Sequence, residues 1–128
     1  MNPCNIIQAL ESDSSTLAKQ QILKDNIDNA EFIEGSTMCL DPLVTFGVKQ
    51  VPITDTMGSG VSWNDFKLLA NELINRGLTG YAARDAIQTM ADNSTIDQWN
   101  DWYRRILIKD LRCGTGAKLF NKVQKDTI

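Results

Sequence analysis

The sequence predicts an all-α domain, a compact bundle of about six to seven short helices. Two observations support this prediction. Apolar residues recur every three or four positions in several segments, which is the period of a helix, and Ser, Thr or Asn stands where most of these segments begin. The 128 residues fit one domain, residues 1–128, that is long enough to bury roughly two-thirds of its unfolded surface.

Three helices are predicted in residues 1–41. Asn2 is typical of the start of the first helix, Ser14 or Ser15 of the second, and Asn29 of the third. The third helix ends before Pro42, because proline disfavours the α region for the residue that precedes it. The charges here are mostly acidic, so these helices are expected to serve packing and solubility. The residues expected to form their apolar faces are Ile6, Ile7, Leu10, Leu17, Ile22, Leu23, Phe32, Ile33 and Met38.

Residues 42–60 mix apolar side chains with proline and glycine, which interrupt regular structure. One alternative is a short strand, but a strand without a partner is marginal, so the segment is interpreted as an ordered connector. Lys49 and Gln50 could reach a nucleic acid, although a solvated loop is the preferred interpretation. The apolar residues of the connector, a few of which should be buried anchors, are Val44, Phe46, Val48, Val51 and Ile53.

Helical spacing returns at Ser62, which with Asp65 resembles a capping box that has aspartate in place of glutamate. Aromatic residues that stack on bases should be exposed, whereas the aromatic residues here follow a buried period, so the stripe is assigned to the core. This stripe consists of Trp63, Phe66, Leu69, Ala70, Leu73 and Ile74. Residues 93–95 should cap a later, longer helix whose inward residues are Ile96, Trp99, Tyr103, Ile106 and Leu107.

A Gly-Thr-Gly turn follows that helix and precedes another. Thr115 can cap the outgoing helix, whose first backbone N–H groups would then attract anions. Gly114 and Gly116 would let a phosphate approach the backbone closely, and Arg112 and Lys118 flank the turn with positive charge. The local chemistry predicts a clamp for nucleic-acid phosphates. The alternative is an ordinary glycine stop followed by a threonine cap.

The same arrangement occurs about 36 residues earlier, at Thr79 and Gly80, with Arg84 as the nearby basic residue. Two such helix starts could contact two phosphate stretches of one duplex. The alternative, that both are simply well-made caps, remains open at this point.

Charge is distributed unevenly along the chain. The net charge is −3, which is not typical of a general nucleic-acid binder. Residues 101–128 nevertheless hold seven basic and three acidic residues, whereas residues 1–100 hold six basic and thirteen acidic ones. This asymmetry predicts one basic face for a polyanion and an acidic remainder.

Cysteine and hydropathy patterns indicate the compartment. The three cysteines are widely spaced and there is no histidine, so neither a disulfide framework nor a common zinc site is expected. No apolar run approaches the length of a signal or membrane-spanning segment. A reducing cytoplasm is therefore expected, that of the host cell if a bacteriophage encodes the protein.

The segment R-R-I-L-I-K-D-L-R-C-G-T-G-A-K-L-F-N-K-V, residues 104–123, resembles the end of the N-terminal DNA-binding domain of ATP-dependent DNA ligases of the T-even bacteriophage type. L-T-G-Y-A-A, residues 78–83, and A-K-Q-Q-I-L-K-D-N, residues 18–26, match the same domain at similar spacing. The resemblance covers most of the chain from about Thr16 onward. Residues 42–60 match poorly, so no contact is carried over there.

The resemblance implies a monomeric all-α domain that lies across the minor groove of nicked duplex DNA. Adenylation and OB-fold domains of the same ligase would close around the break, in nick sealing for replication, repair and recombination. The residues that the resemblance implies as phosphate ligands are Arg112, Gly114, Thr115, Gly116, Lys118, Thr79 and Gly80. Those added by charge and position alone are Arg104, Arg105, Lys109 and Lys122.

Ligases of this type carry their nucleophilic lysine in a K-x-D-G motif, and this chain has none. ATP and magnesium would belong to the domains that carry that motif, so the chain alone should seal nothing and needs no cofactor or metal. Its end is expected to be a domain boundary, either a truncation or a standalone domain. A competing hypothesis is a protein–protein interaction module that uses the acidic N-terminal helices.

Overall fold

The computed structural model describes all 128 residues and contains helices without strands, which confirms the predicted fold class. The sixth helix runs without interruption through Ile96–Gln98, a π-helical stretch Trp99–Tyr103, and Arg104–Leu107. The seven helices are α1 (Pro3–Glu11), α2 (Thr16–Asp25), α3 (Ala30–Leu40), α4 (Trp63–Ile74), α5 (Gly80–Asn93), α6 (96–107) and α7 (Ala117–Val123).

Five helices begin at a residue whose side-chain oxygen accepts a hydrogen bond from a backbone N–H group of the first turn. This bond satisfies one of the donors that the start of a helix leaves free. Ser15 rather than Ser14 caps α2. The Ser62 hydroxyl accepts from the N–H of Asp65 at 3.1 Å, which is one half of the predicted capping box. The five caps are Asn2, Ser15, Asn29, Ser62 and Thr95.

The two predicted threonine caps do not form. Thr79 occupies the cap position of α5, but its side chain makes no capping hydrogen bond. The cap position of α7 is Gly116 rather than Thr115. Thr115 is buried instead, and its hydroxyl donates to the carbonyl of Cys113 at 3.4 Å. The buried turn requires a partner for this hydroxyl, and the carbonyl two residues earlier supplies one.

The core is centred on aromatic residues of α6. Trp99, Trp102 and Tyr103 are almost completely buried. The rings of Phe66 and Tyr103 stack with centroids 4.3 Å apart, which confirms that the α4 stripe is core. The prediction for Leu17 is wrong, because its side chain lies in the first turn of α2 at an open groove and is 76% exposed.

The predicted connector, residues 42–60, is ordered without forming a strand, and with its flanking residues it fills the whole segment 41–62 between α3 and α4, to which the name connector also applies. Phe46 and Val51 are buried, which confirms the predicted anchors, whereas Ile53 is exposed. Side chains of α6 take the place of a partner strand. Asn100 bonds both the N–H and the carbonyl of Thr54 at 2.8 Å. These bonds fix the connector against the helix that leads to the Gly-Thr-Gly turn.

Two further α6 side chains hold the same segment. The indole Nε1 of Trp99 donates to the carbonyl of Pro52 at 2.7 Å. The hydroxyl of Tyr103 donates to the carbonyl of Val61 at 2.7 Å. The backbone of the connector therefore finds its hydrogen-bond partners mainly in side chains. None of the helices combines the length and the apolar character that crossing a bilayer requires.

Candidate nucleic-acid interface

Three of the basic residues predicted to contact DNA are engaged inside the fold. Arg105 forms ion pairs with Glu11 and, at 3.3 Å, with Asp101. It also donates to the carbonyl of Leu111 at 3.0 Å, and its side chain is only 12% exposed. The guanidinium thus ties α1 and α6 to the turn that follows α6, and it is not free to bind a phosphate.

Lys109 closes the end of α3. Its Nζ atom donates to the carbonyls of Met38 at 3.0 Å, Asp41 at 2.8 Å and Val44 at 2.6 Å. Burial lowers the pKa of this amine. All three of its donors are used, and the positive charge lies where a helix C-terminus favours it. Lys109 is therefore a structural residue of this fold.

Arg104 is half-buried, and its Nε donates to the carbonyl of Val51 at 2.9 Å. Burial lowers its pKa, and the nearby charges of Arg112 and Arg105 lower it further. The side chain thus holds the connector. Arg104, Arg105 and Lys109 therefore each make hydrogen bonds that hold neighbouring segments of the fold together.

Four exposed residues around the turn, together with the half-buried Lys19, form the glycine-loop cluster: Arg112, Gly114, Gly116, Lys118 and Lys19. Arg112 and Lys118 are exposed and neither side chain has an acidic partner. Gly114 has φ +68°, which favours glycine. A Cβ at Gly116 would meet nothing within 4 Å, so the backbone is open to solvent there. With glycine at its cap position, α7 begins without a side chain over its first N–H groups.

Lys19 joins this cluster from α2, 94 residues away in sequence. Its Nζ donates to the carbonyls of Cys113 at 3.1 Å and Gly114 at 3.5 Å. An ammonium group has three donors, so one is left for an anion. Sequence reasoning missed this residue. The motif in residues 18–26 indicated that the segment matters, but nothing in it places the amine at the turn.

A second exposed group, the α5-start cluster, consists of Lys49, Gln50, Thr79, Gly80 and Arg84. Lys49, Gln50, Gly80 and Arg84 line one groove of about 310 Å³ between the connector and α5. Gly80 has φ +56° and open space around its Cβ position. The sequence favours a solvated loop for Lys49 and Gln50, and the structure places both beside the predicted helix start at Gly80.

The connector lies between this helix start and the end of α6. Residues 45–49 line another groove, of about 390 Å³, together with Leu107, Ile108 and Lys109. From there the chain continues into the glycine-loop cluster within three residues. One segment thus borders both the α5-start cluster and the turn that leads to the glycine loop.

The chemistry of these clusters suits a polyanion. Guanidinium and ammonium groups, together with open backbone N–H groups, are the groups that proteins use to contact phosphates. Lys49, Arg84, Arg112, Lys118 and Lys122 are all exposed and form no salt bridge. No three Cys, Asp or Glu side chains are grouped so that they could hold a metal ion.

Comparison with known proteins gives matches among solved structures only. One, described as "Pmar-Lig_Pre.", is 46% identical in sequence, covers 98% of this chain and has a TM-score of 0.94. Another, described as "Pmar-Lig_PreS3", is 48% identical with the same coverage and TM-score. This chain spans 30% of the length of each solved chain. No protein-family model and no curated protein matches the chain.

Proposed function

We propose that this chain is the N-terminal DNA-binding domain of an ATP-dependent DNA ligase of the T-even bacteriophage type. It would bind duplex DNA without sequence preference, across the minor groove and through backbone phosphates. The motifs in residues 18–26, 78–83 and 104–123 support this proposal. So do the names of the two matching structures, which contain "Lig", at 46% and 48% identity.

The DNA-binding part of the proposal rests on one observation. Basic side chains without an acidic partner lie beside glycines whose backbone is open to solvent. Gly116 has free space where a Cβ would stand, and Lys118 and Arg112 lie exposed on either side of it. No carboxylate of the fold competes for these two side chains, so both are available to phosphates, which would provide the counter-charge.

The domain would position DNA rather than react with it. ATP, magnesium and the nucleophilic lysine would belong to the adenylation domain, and an OB-fold domain would complete the ring around the nick. Phosphate contacts fix orientation on the duplex but carry no sequence information. A domain that must act at any nick in replication, repair or recombination benefits from this lack of specificity.

The test is fluorescence anisotropy of the 128-residue chain with labelled nicked duplex, intact duplex and single strand, at two salt concentrations. We expect binding to duplex over single strand. If four to six phosphates are contacted, the logarithm of affinity should fall with the logarithm of salt with a slope of about −4 to −5.

Lys118→Glu provides the matching variant, since this exposed side chain has no partner in the fold. It should weaken duplex binding while leaving the thermal unfolding curve unchanged. An affinity that is flat between low and moderate salt would refute the phosphate contacts. A protein partner captured by the acidic α1–α3 surface, with no DNA binding, would favour the interaction-module alternative.

A further inference from the structure

A second basic surface lies beside the glycine-loop cluster, between α2 and α7. One lysine comes from each helix, Lys24 from α2 and Lys122 from α7, and no acidic side chain lines this groove. The α2–α7 groove has a volume of about 400 Å³ and is lined by Leu17, Gln20, Gln21, Lys24, Lys122 and Val123.

Neither lysine is neutralised within the fold. Lys24 and Lys122 are both exposed, and neither side chain takes part in a salt bridge. The adjacent acid on α2, Asp25, accepts a hydrogen bond from Gln21 Nε2 at 2.7 Å. Two ammonium groups at one groove repel each other, so an anion bound between them would be favoured.

One face of α7 leads from the glycine-loop cluster to this groove. On α7, Lys118 and Lys122 are four residues apart, which places them on one face of the helix. On α2, Lys19 contacts the glycine loop, whereas Lys24 lies five residues further along and about 140° around the helix, at the groove. A phosphate chain that reaches the glycine loop can therefore continue from Lys118 to Lys122 along one face of α7, and Lys24 of α2 lines the groove that it reaches.

The apolar residues of the groove favour a polymer over a small anion. Leu17 is 76% exposed, and Val123 lines the groove with it. Deoxyribose offers apolar surface between successive phosphates, which inorganic phosphate lacks. A surface that alternates amine, amide and aliphatic groups is complementary to a sugar–phosphate backbone.

We propose that the α2–α7 groove binds the sugar–phosphate backbone of the same duplex, next to the stretch held by the glycine-loop cluster. Lys24 and Lys122 contact phosphates, and Leu17 packs against sugar. This inference rests on the proposed function and extends it to α2, the helix that sequence reasoning assigned to packing and solubility.

The test uses Lys24→Gln, Lys122→Gln and the double variant, with Lys67→Gln as control because Lys67 pairs with Glu34 on another part of the chain. Each contacted phosphate contributes about 0.9 to the salt slope, so the ratio of affinities at about 50 mM and about 200 mM salt should fall about 3.5-fold per lysine and about 12-fold in the double variant. The control should leave this ratio unchanged. Circular dichroism should be the same for all variants.

Failure of the inference and failure of the proposed function give different results. If the wild-type chain binds duplex with a steep salt slope and the double variant behaves like Lys67→Gln, the groove does not contact DNA and the inference is wrong while the proposed function stands. If the wild-type chain shows no salt-dependent binding, both proposals fall. Inorganic phosphate that competes with duplex at millimolar concentration and loses this effect in the double variant would indicate a small-anion site instead.

Discussion

At the scale of single residues, two arginines share a backbone conformation that favours glycine. Arg76 has φ 65° and Arg112 has φ 54°. This left-handed region costs a non-glycine residue about 1–2 kcal/mol. At Arg76 hydrogen bonds offset this cost, because its guanidinium donates to the carbonyls of Thr45 at 3.1 Å and Leu73 at 2.7 Å. The side chain of Arg112 has no hydrogen bond or ion pair of this kind, so we expect its binding partner to lie outside the domain.

Arg112→Asn should separate binding from folding. Asparagine tolerates the left-handed region better than arginine, and the backbone N–H can still donate to Asp110, so stability should stay the same or rise by up to about 1 kcal/mol. Duplex affinity should fall, with a salt slope less steep by about 1. Urea unfolding and anisotropy titrations measure the two effects.

Arg76→Asn is the matched control, with the same residue type in the same backbone region. Here the hydrogen bonds to Thr45 and Leu73 are lost, so stability should decrease by about 1–2 kcal/mol. If Arg112→Asn lowered stability as Arg76→Asn does and left affinity unchanged, Arg112 would be a structural residue.

The engagement of Arg105 and Lys109 could not be predicted from sequence. Both lie among other basic residues in a positively charged segment, so a prediction from charge alone groups them with Arg112. Their partners are remote along the chain: Glu11 for Arg105, and carbonyls of α3 and the connector for Lys109. A charge pattern indicates which residues are basic, but only the packing of helices decides which of them remain free.

At the scale of elements, the connector is ordered because one helix supplies its hydrogen-bond partners. Gln98, Asn100 and Arg104 of α6 bond backbone groups of Val61, Thr54 and Val51. A π-helical stretch lies in this part of α6. Such stretches are rare and often occur at functional sites. Here the stretch contains Asn100, whose amide holds the part of the connector that continues from Lys49 and Gln50.

Asn100→Ala should loosen the connector selectively. Thr54 is buried, so its N–H and carbonyl would lose their partners, at a cost of about 1–3 kcal/mol. Hydrogen exchange should accelerate at Thr54 and its neighbours more than in α4. Asn64→Ala, at an exposed position of α4, is the control and should change neither property. Unchanged protection of Thr54 would mean that the connector is held by its apolar anchors alone.

Helix existence was predictable because caps and apolar periods are local signals. Asn2, Ser15, Asn29, Ser62 and Thr95 act as the sequence indicates. The two predicted threonine caps do not form, although Thr79 does stand at the cap position of α5. Glycine can take the cap position itself, and at α7 the threonine turned into the core instead. When two adjacent residues both suit the cap position, the sequence alone does not determine which of them occupies it. The packing of the turn determines it.

At the scale of the whole molecule, the fold class followed from sequence, but the composition of the interface did not. Lys19 reaches the glycine loop from α2, and Lys49 reaches Gly80 from the connector. Both pairs are remote in sequence, so only tertiary packing brings their members together. The net charge of −3 hides this arrangement, because it averages the acidic N-terminal part with basic side chains that lie near the two turns and at the α2–α7 groove. The acidic remainder should orient the basic face toward DNA.

Burial of ionisable groups also makes stability depend on pH. Desolvation raises the pKa of Cys4 and of Cys39 to about 12, and it raises the pKa of Cys113 and Tyr103 as well. Below the ordinary thiol pKa, these groups are protonated in both the folded and the unfolded chain, and their full contribution to the free energy of unfolding is present. Above it, the unfolded chain ionises first, so stability is lost as pH rises toward 12. Lys109 and Arg104, whose pKa values burial lowers, act in the opposite direction.

The free energy of unfolding, measured with urea under reducing conditions, should therefore fall between neutral pH and about pH 10.5. Cys4→Ala and Cys39→Ala remove two of the responsible groups. The double variant should be less stable than the wild type at neutral pH, since Cys39 is buried, yet its stability should fall less over the same interval. Comparing the two pH dependences cancels the packing loss, which is the same at every pH. Parallel curves for the wild type and the double variant would show that these thiols ionise as freely in the folded chain as in the unfolded one.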